Sequence, residues 1–130
     1  MGTPTESAVP PRVFVVDDDP LVLAVTRRVL ARAGYEVALF EDPRRALAEL
    51  ERAQPFAVVA DLNMPELGGS ELLELVKQAS PRSLRVLYTG EGQVQELMGK
   101  LAPGLVHAVL PKAAGMQSLP DTLERLRSEA

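Results

Sequence analysis

The sequence predicts an α/β domain in which a parallel sheet carries helices on both faces. Three observations lead there. Short apolar runs recur along the chain, each followed by a stretch with apolar residues at helical spacing, five times over. The first and third runs, Val13 to Val16 and Phe56 to Ala60, are apolar throughout rather than alternating, which marks strands buried on both faces. Two Asp-Pro pairs, Asp19-Pro20 and Asp42-Pro43, stand where a strand must give way to a helix.

Residues 1 to 11 contain Pro, Thr and Ser without an apolar period and read as a disordered tail or linker, leaving 12 to 130 for one domain. Val13 to Val16 form the first strand, stopped by Asp17, Asp18 and Asp19. Asp19 then serves as N-cap and Pro20 as first helical residue of a helix that Gly34 ends. Glu36 to Phe40 are the second strand, and Asp42-Pro43 opens a helix buried through Ala46, Leu47 and Leu50 that ends before Pro55. Phe56 to Ala60 make the third strand, which also runs into an aspartate, Asp61. A loop, 62 to 69, leads to a helix through Leu72, Leu73 and Val76, with Ser70 expected as its cap. Leu84 to Tyr88 are the fourth strand, ending at Thr89-Gly90, and 93 to 101 a short fourth helix. Leu105 to Leu110 are the fifth strand, closed by Pro111-Lys112. The last helix carries Leu119, Leu123 and Leu126 on one face, and Pro120 is tolerable in it only in the first turn, where the missing N–H is harmless. Such β-then-α units are joined by right-handed crossovers, giving a flavodoxin-like (βα)5 doubly wound sheet of strand order 2-1-3-4-5.

Composition narrows the chemistry. The 130 residues suit a single domain with its own core. With no Cys and only His107 as histidine, zinc, thiol and disulfide chemistry are excluded, and any metal should be hard and oxygen-bound. A net charge of −4 and no Trp argue against a nucleic-acid surface. No apolar run reaches the ~20 residues of a membrane span, and the N-terminus lacks the pattern of a signal peptide, so the expected compartment is the cytoplasm.

The acids are unevenly placed. Of six Asp, four follow an apolar strand directly: Asp17, Asp18 and Asp19 after the first, Asp61 after the third. Strands one and three are neighbours in the expected order, and ligands bind at the carboxyl ends of such sheets. Asp17, Asp18 and Asp61 should therefore converge. Two like charges about 4 Å apart repel by roughly 4 kcal/mol at a protein surface, so the cluster calls for a cation, with Mg²⁺ the natural choice. The fourth strand brings Thr89 and the fifth Lys112 to the same rim, as a phosphoryl-handling site needs. Taken singly, each residue has a plainer explanation. Asp19 is accounted for by capping, Thr89 by a turn, Lys112 by the surface, His107 by an exposed edge strand, and Tyr35 and Tyr88 by packing. Their coincidence at the ends of four strands is what carries the site.

Phe14 to Pro20, Asp61-Leu62-Asn63-Met64-Pro65 with Gly69 beyond it, Leu87-Tyr88-Thr89-Gly90 and Leu110-Pro111-Lys112 together resemble the four signatures of response-regulator receiver domains (CheY-like) of two-component phosphorelay systems. The resemblance covers residues 12 to about 128. It implies that Asp61 is a phosphoacceptor served by a histidine kinase or phosphotransfer protein. It implies further that Asp18 and Asp61 bind Mg²⁺ directly, that Asp17 holds one of its waters, and that the Asn63 backbone carbonyl completes the shell. Lys112 and Thr89 would contact the phosphoryl group, and Asn63 and Glu91 would tune its loss. An output domain or partner protein, or a homodimer, would read the switch.

Two positions depart from the family pattern. Ala113 follows Lys112 where proline is usual, and Val109 stands where the aromatic switch residue is expected. Some other change, such as reordering of segment 90 to 104, would then report phosphorylation. Two rival functions remain. A haloacid-dehalogenase-like phosphohydrolase needs Asp-x-Asp-x-Thr or Val and room for a cap, neither of which is present. A phosphorylation-independent docking module has no need of the complete Asp17, Asp18, Asp61, Thr89 and Lys112 set. The chain is expected to be no enzyme beyond its own phosphorylation and dephosphorylation, and either a stand-alone receiver or part of a larger regulator or hybrid kinase.

Overall fold

The computed structural model describes residues 10–64, 67–90 and 94–129, except for the side chains of 113–115. Five strands alternate with five helices: β1 (Arg12–Val16), α1 (Pro20–Arg32), β2 (Glu36–Phe40), α2 (Pro43–Ala53), β3 (Ala57–Asp61), α3 (Gly69–Ala79), β4 (Leu84–Thr89), α4 (Val94–Lys100), β5 (Ala108–Pro111) and α5 (Lys112–Glu129). The sheet order is β2-β1-β3-β4-β5, with every neighbouring pair parallel. This is the flavodoxin-like doubly wound sheet expected from the sequence. No described helix is long and apolar enough to cross a membrane.

The pleat sorts the core into two layers. Val13, Val15, Val59, Val86 and Tyr88 face α1 and α5, where Leu23, Leu30, Leu119 and Leu123 cover them. Phe14, Val16, Val58, Ala60 and Leu87 face the opposite layer, closed by Ala46, Leu50, Leu72 and Val76. All five residues of β3 are buried, as a central strand covered on both faces requires.

Both Asp-Pro starts behave as the sequence demands. Asp19 Oδ1 accepts the Leu21 N–H at 2.9 Å, and Asp42 Oδ1 accepts the Arg44 N–H at 2.9 Å. Gly34, with φ of +98°, takes the left-handed turn after α1.

Three expectations need correction. Ser70 does not cap α3. Gly68 is the N-cap, and Glu71 reaches back to accept its N–H at 3.1 Å, so the helix starts one residue before Ser70. Pro120 lies in the interior of α5 rather than in its first turn, because the helix already begins at Lys112. The buried stripe of Leu119, Leu123 and Leu126 holds the helix together across the proline.

The fifth strand is also shorter than its apolar run, starting at Ala108 instead of Leu105. Arg85 is the reason. This buried guanidinium donates to the carbonyl of Leu105 (2.7 Å), taking up an acceptor at the start of the expected run, and to those of Gly104 (3.2 Å) and Ser83 (3.1 Å) beside it. The Arg85 N–H in turn goes to His107 Nδ1 at 2.9 Å, while the His107 N–H returns to the Arg85 carbonyl at 2.8 Å. An imidazole thus replaces one backbone acceptor of the ladder.

Candidate functional site

The strand ends build the site. β1 and β3 are paired as far as Val16 and Ala60, so the next residue of each, Asp17 and Asp61, emerges side by side. Asp17 extends the sheet by donating its N–H to the Phe40 carbonyl at 3.1 Å, and its Oδ1 accepts the Asp19 N–H at 2.9 Å. The turn that starts α1 therefore also fixes the Asp17 carboxylate. Across the sheet, Asp61 faces Tyr88, whose carbonyl accepts the Leu62 N–H at 2.8 Å.

Gly69 closes the floor. A Cβ at this position would stand 2.2 Å from the Asp61 backbone oxygen and 2.8 Å from Leu87 Cδ1. Only glycine lets the start of α3 approach the end of β3 so closely.

One carboxylate oxygen each from Asp17, Asp18 and Asp61 lies within 4.8 Å of the others. Asp17 and Asp61 are buried, whereas Asp18 is exposed. Lys112, the first residue of α5, reaches in from β5 and places Nζ 3.1 Å from Asp61 Oδ2 and 3.2 Å from Asp17 Oδ2. The Asp61 contact is an aligned hydrogen bond. The Asp17 contact is an ion pair without that alignment, which leaves the buried Asp17 Oδ2 short of a hydrogen-bond donor among the described residues.

The titration tendencies follow from this crowding. Burial pushes the Asp17 carboxyl above the ordinary aspartate value; the Asp19 amide pulls it down, the Asp61 charge adds to the rise, and Lys112 offsets part of it. Burial alone would lower the Lys112 ammonium, but the hydrogen bond to Asp61 and the charge of Asp17 outweigh it and hold Lys112 protonated.

The donor set fits a hard divalent cation. Three carboxylates against one ammonium leave two negative charges, which such an ion cancels. Hard divalent cations such as Mg²⁺ take carboxylate oxygens of this kind, gathered within 4.8 Å of one another. The buried Asp17 Oδ2, ion-paired with Lys112 but without a hydrogen bond among the described residues, is an acceptor with capacity left for it.

The other expected residues sit as follows. Thr89 ends β4 one position beyond Tyr88, buried and in register with Pro111, the residue before Lys112. Asn63 is exposed, with its N–H 3.4 Å from Asp61 Oδ1. Glu91 lies outside the described residues. Val109 is buried in the layer facing α3 and α4, so no aromatic ring occupies that place. One contributor carries no mark in the sequence: Gly69 as the close-approach residue.

Comparison with known proteins agrees with this geometry. Residues 13–124 match the model of the response regulator receiver domain. A protein-glutamate methylesterase/protein-glutamine glutaminase 1 from Anaeromyxobacter dehalogenans is 39% identical over 118 residues, which are 89% of this chain and 34% of that protein. Response regulator MprA from Mycolicibacterium vanbaalenii is 34% identical over 119 residues, 92% of this chain and 50% of that one. The chain thus spans half or less of these relatives. The chemotaxis protein CheY4 of Vibrio cholerae superposes with a TM-score of 0.77 at 28% identity, covering 89% of this chain and 98% of that one. By motif, strand order and sequence, the chain belongs to the response regulator receiver domain family.

Proposed function

We propose that the chain is the phosphoacceptor switch of a two-component system with Asp61 as the acceptor. The observation that carries this reading is the Lys112 ammonium bridging Asp61 and Asp17 beside the exposed Asp18. A carboxylate oxygen of Asp61 attacks the phosphorus of a phosphohistidine or small acyl phosphate. The new P–O bond forms as the bond to imidazole nitrogen or acyl oxygen breaks, and the leaving group departs with that electron pair. Asp18 and Asp61 directly, Asp17 through a water, and the Asn63 carbonyl would hold Mg²⁺, which when bound would screen the charge gathered between acceptor and phosphoryl group. Lys112 turns from its two carboxylates to the phosphoryl oxygens. Thr89 donates its hydroxyl to another of them, and this movement is the switch. Asn63 and Glu91 flank the acceptor and set how readily water removes the group.

A sensor histidine kinase or phosphotransfer protein is the donor, the cytoplasm the compartment, and an output domain, partner protein or second copy the reader. The chain catalyses only its own phosphorylation and dephosphorylation. Intact-mass analysis with Mg²⁺ and acetyl phosphate tests the reading. A gain of one phosphoryl group by this chain but not by Asp61→Asn supports it. No gain from acetyl phosphate or from phosphoramidate would overturn it in favour of a domain that signals by docking alone.

A further inference from the structure

Tyr88 and Thr26 are both fully buried, yet neither the Tyr88 hydroxyl nor Thr26 Oγ1 has a hydrogen-bond partner among the described residues. Buried hydroxyls are rarely left this way. The two belong to one place: Thr26 lies between Leu23 and Leu30 on the buried face of α1, and those two leucines share a core layer with the Tyr88 ring, whose phenol Thr26 adjoins. Phe and Val would fill the same space without desolvating two hydroxyls, so packing does not account for the pair.

Their positions in the fold suggest a use. Tyr88 faces Asp61 across the β3–β4 ladder, holds the next residue, Leu62, through its carbonyl, and immediately precedes Thr89. It belongs to the core layer that also holds Leu23 and Leu30 of α1. Thr26 lies on that same helix, whose first turn is fixed by Asp19 and, through the Asp19 N–H, by Asp17. A contact between the two hydroxyls therefore joins the helix that anchors the acidic pair to the strand that delivers Asp61's neighbour and Thr89.

We propose that Tyr88 and Thr26 form a buried hydroxyl tie between β4 and α1, making Tyr88 a positioning residue for Asp61 and Thr89 in phosphoryl transfer. The positioning role rests on Asp61 being the phosphoacceptor; the tie itself does not.

The test compares the wild type with Tyr88→Phe, Thr26→Val, the double variant and Thr26→Ser, which keeps the hydroxyl. Thermal melts establish that each is folded at the assay temperature. Amide hydrogen exchange is followed in residues 23 to 30 and at Leu62 without phosphodonor, and the initial rate of phosphoryl gain is followed with Mg²⁺ and acetyl phosphate. The tie predicts that each hydroxyl deletion speeds exchange at both places and slows phosphoryl gain at least about twofold, with the double variant no worse than the worse single. Thr26→Ser restores both readouts. Additive effects of the two deletions, or exchange unchanged in either, would overturn the tie. Unchanged rates beside a phosphorylated wild type overturn the positioning role alone, whereas a wild type that gains no phosphoryl group overturns the phosphoacceptor reading and the positioning role with it.

Discussion

Lys112 stands 3.1 Å from Asp61 and 3.2 Å from Asp17, so one ammonium from the start of α5 neutralises carboxylates delivered by two different strands. Removing it leaves two buried charges facing each other without a counter-ion. Lys112→Met should destabilise the metal-free protein by about 2–3 kcal/mol, less than breaking a fully buried pair because the lysine is partly exposed. The same change removes a positive charge from the cation's surroundings, so Mg²⁺ should bind more tightly than to the wild type. Urea unfolding in EDTA and a Mg²⁺ titration measure the two effects. Equal unfolding midpoints would show that Lys112 is not the counter-ion.

Asp18 offers a cleaner probe of the cation, being exposed and outside both core layers. Asp18→Asn should leave the fold intact while abolishing the rise in Tm that Mg²⁺ gives the wild type. For a single site that rise corresponds to about 2.7 kcal/mol at a hundredfold excess over Kd. Chelation should reverse it in the wild type and do nothing in the variant. A full Mg²⁺ response in Asp18→Asn would remove this carboxylate from the ligand set.

Gly69 is where the site meets the fold. A methyl group there would sit 2.2 Å from the Asp61 carbonyl oxygen, and neither that backbone nor the adjoining Leu87 side chain is free to withdraw. Gly69→Ala should cost about 1–3 kcal/mol as overpacking and displace Asp61. Urea melts read the first effect, and slower phosphoryl gain from acetyl phosphate reads the second. A variant as stable and as quickly phosphorylated as the wild type would show that α3 can retreat without disturbing β3.

The sequence made the site legible because strand ends are marked by chemistry as well as by pattern. Asp17, Asp18 and Asp61 interrupt apolar runs, and Asp19-Pro20 announces both the end of β1 and the start of α1. Long-range partners leave no such mark. Arg85 sits inside the apolar fourth strand and shortens β5 by binding carbonyls about 20 residues away, which no local pattern records. The Gly68 N-cap was hidden because Ser70 is the better capping residue by type, while Glu71 supplies the compensating bond. Gly69 reads as a loop glycine until the distance to Asp61 is known.

Pro120 is a local sacrifice inside α5. It has no N–H to give the Met116 carbonyl one turn back, and its ring crowds that turn. Alanine restores the bond, against a smaller gain in unfolded-chain entropy. Pro120→Ala should therefore raise stability by about 1–2 kcal/mol, read as a higher urea midpoint. A lower midpoint would mean that the packing of the proline ring, which is partly buried, outweighs the missing bond.

His107 gives the fold a pH dependence away from the carboxylates. Its Nδ1 must stay unprotonated to accept the Arg85 N–H, and partial desolvation of the ring, in a residue otherwise exposed, reinforced by the Arg85 charge, holds the imidazole below its ordinary value. As pH falls, the unfolded chain binds the proton first. This contribution to stability is whole above the unfolded value near 6.5, falls as pH drops through it towards the lower folded value, and is flat below that. Its size is bounded by one backbone hydrogen bond, roughly 1 kcal/mol or less. His107→Ala lacks the acceptor at every pH, so the stability difference between it and the wild type should be largest at pH 8 and shrink towards pH 5. A difference that stays constant across that range, in parallel urea melts, would show that His107 supports β5 by packing rather than through its unprotonated nitrogen.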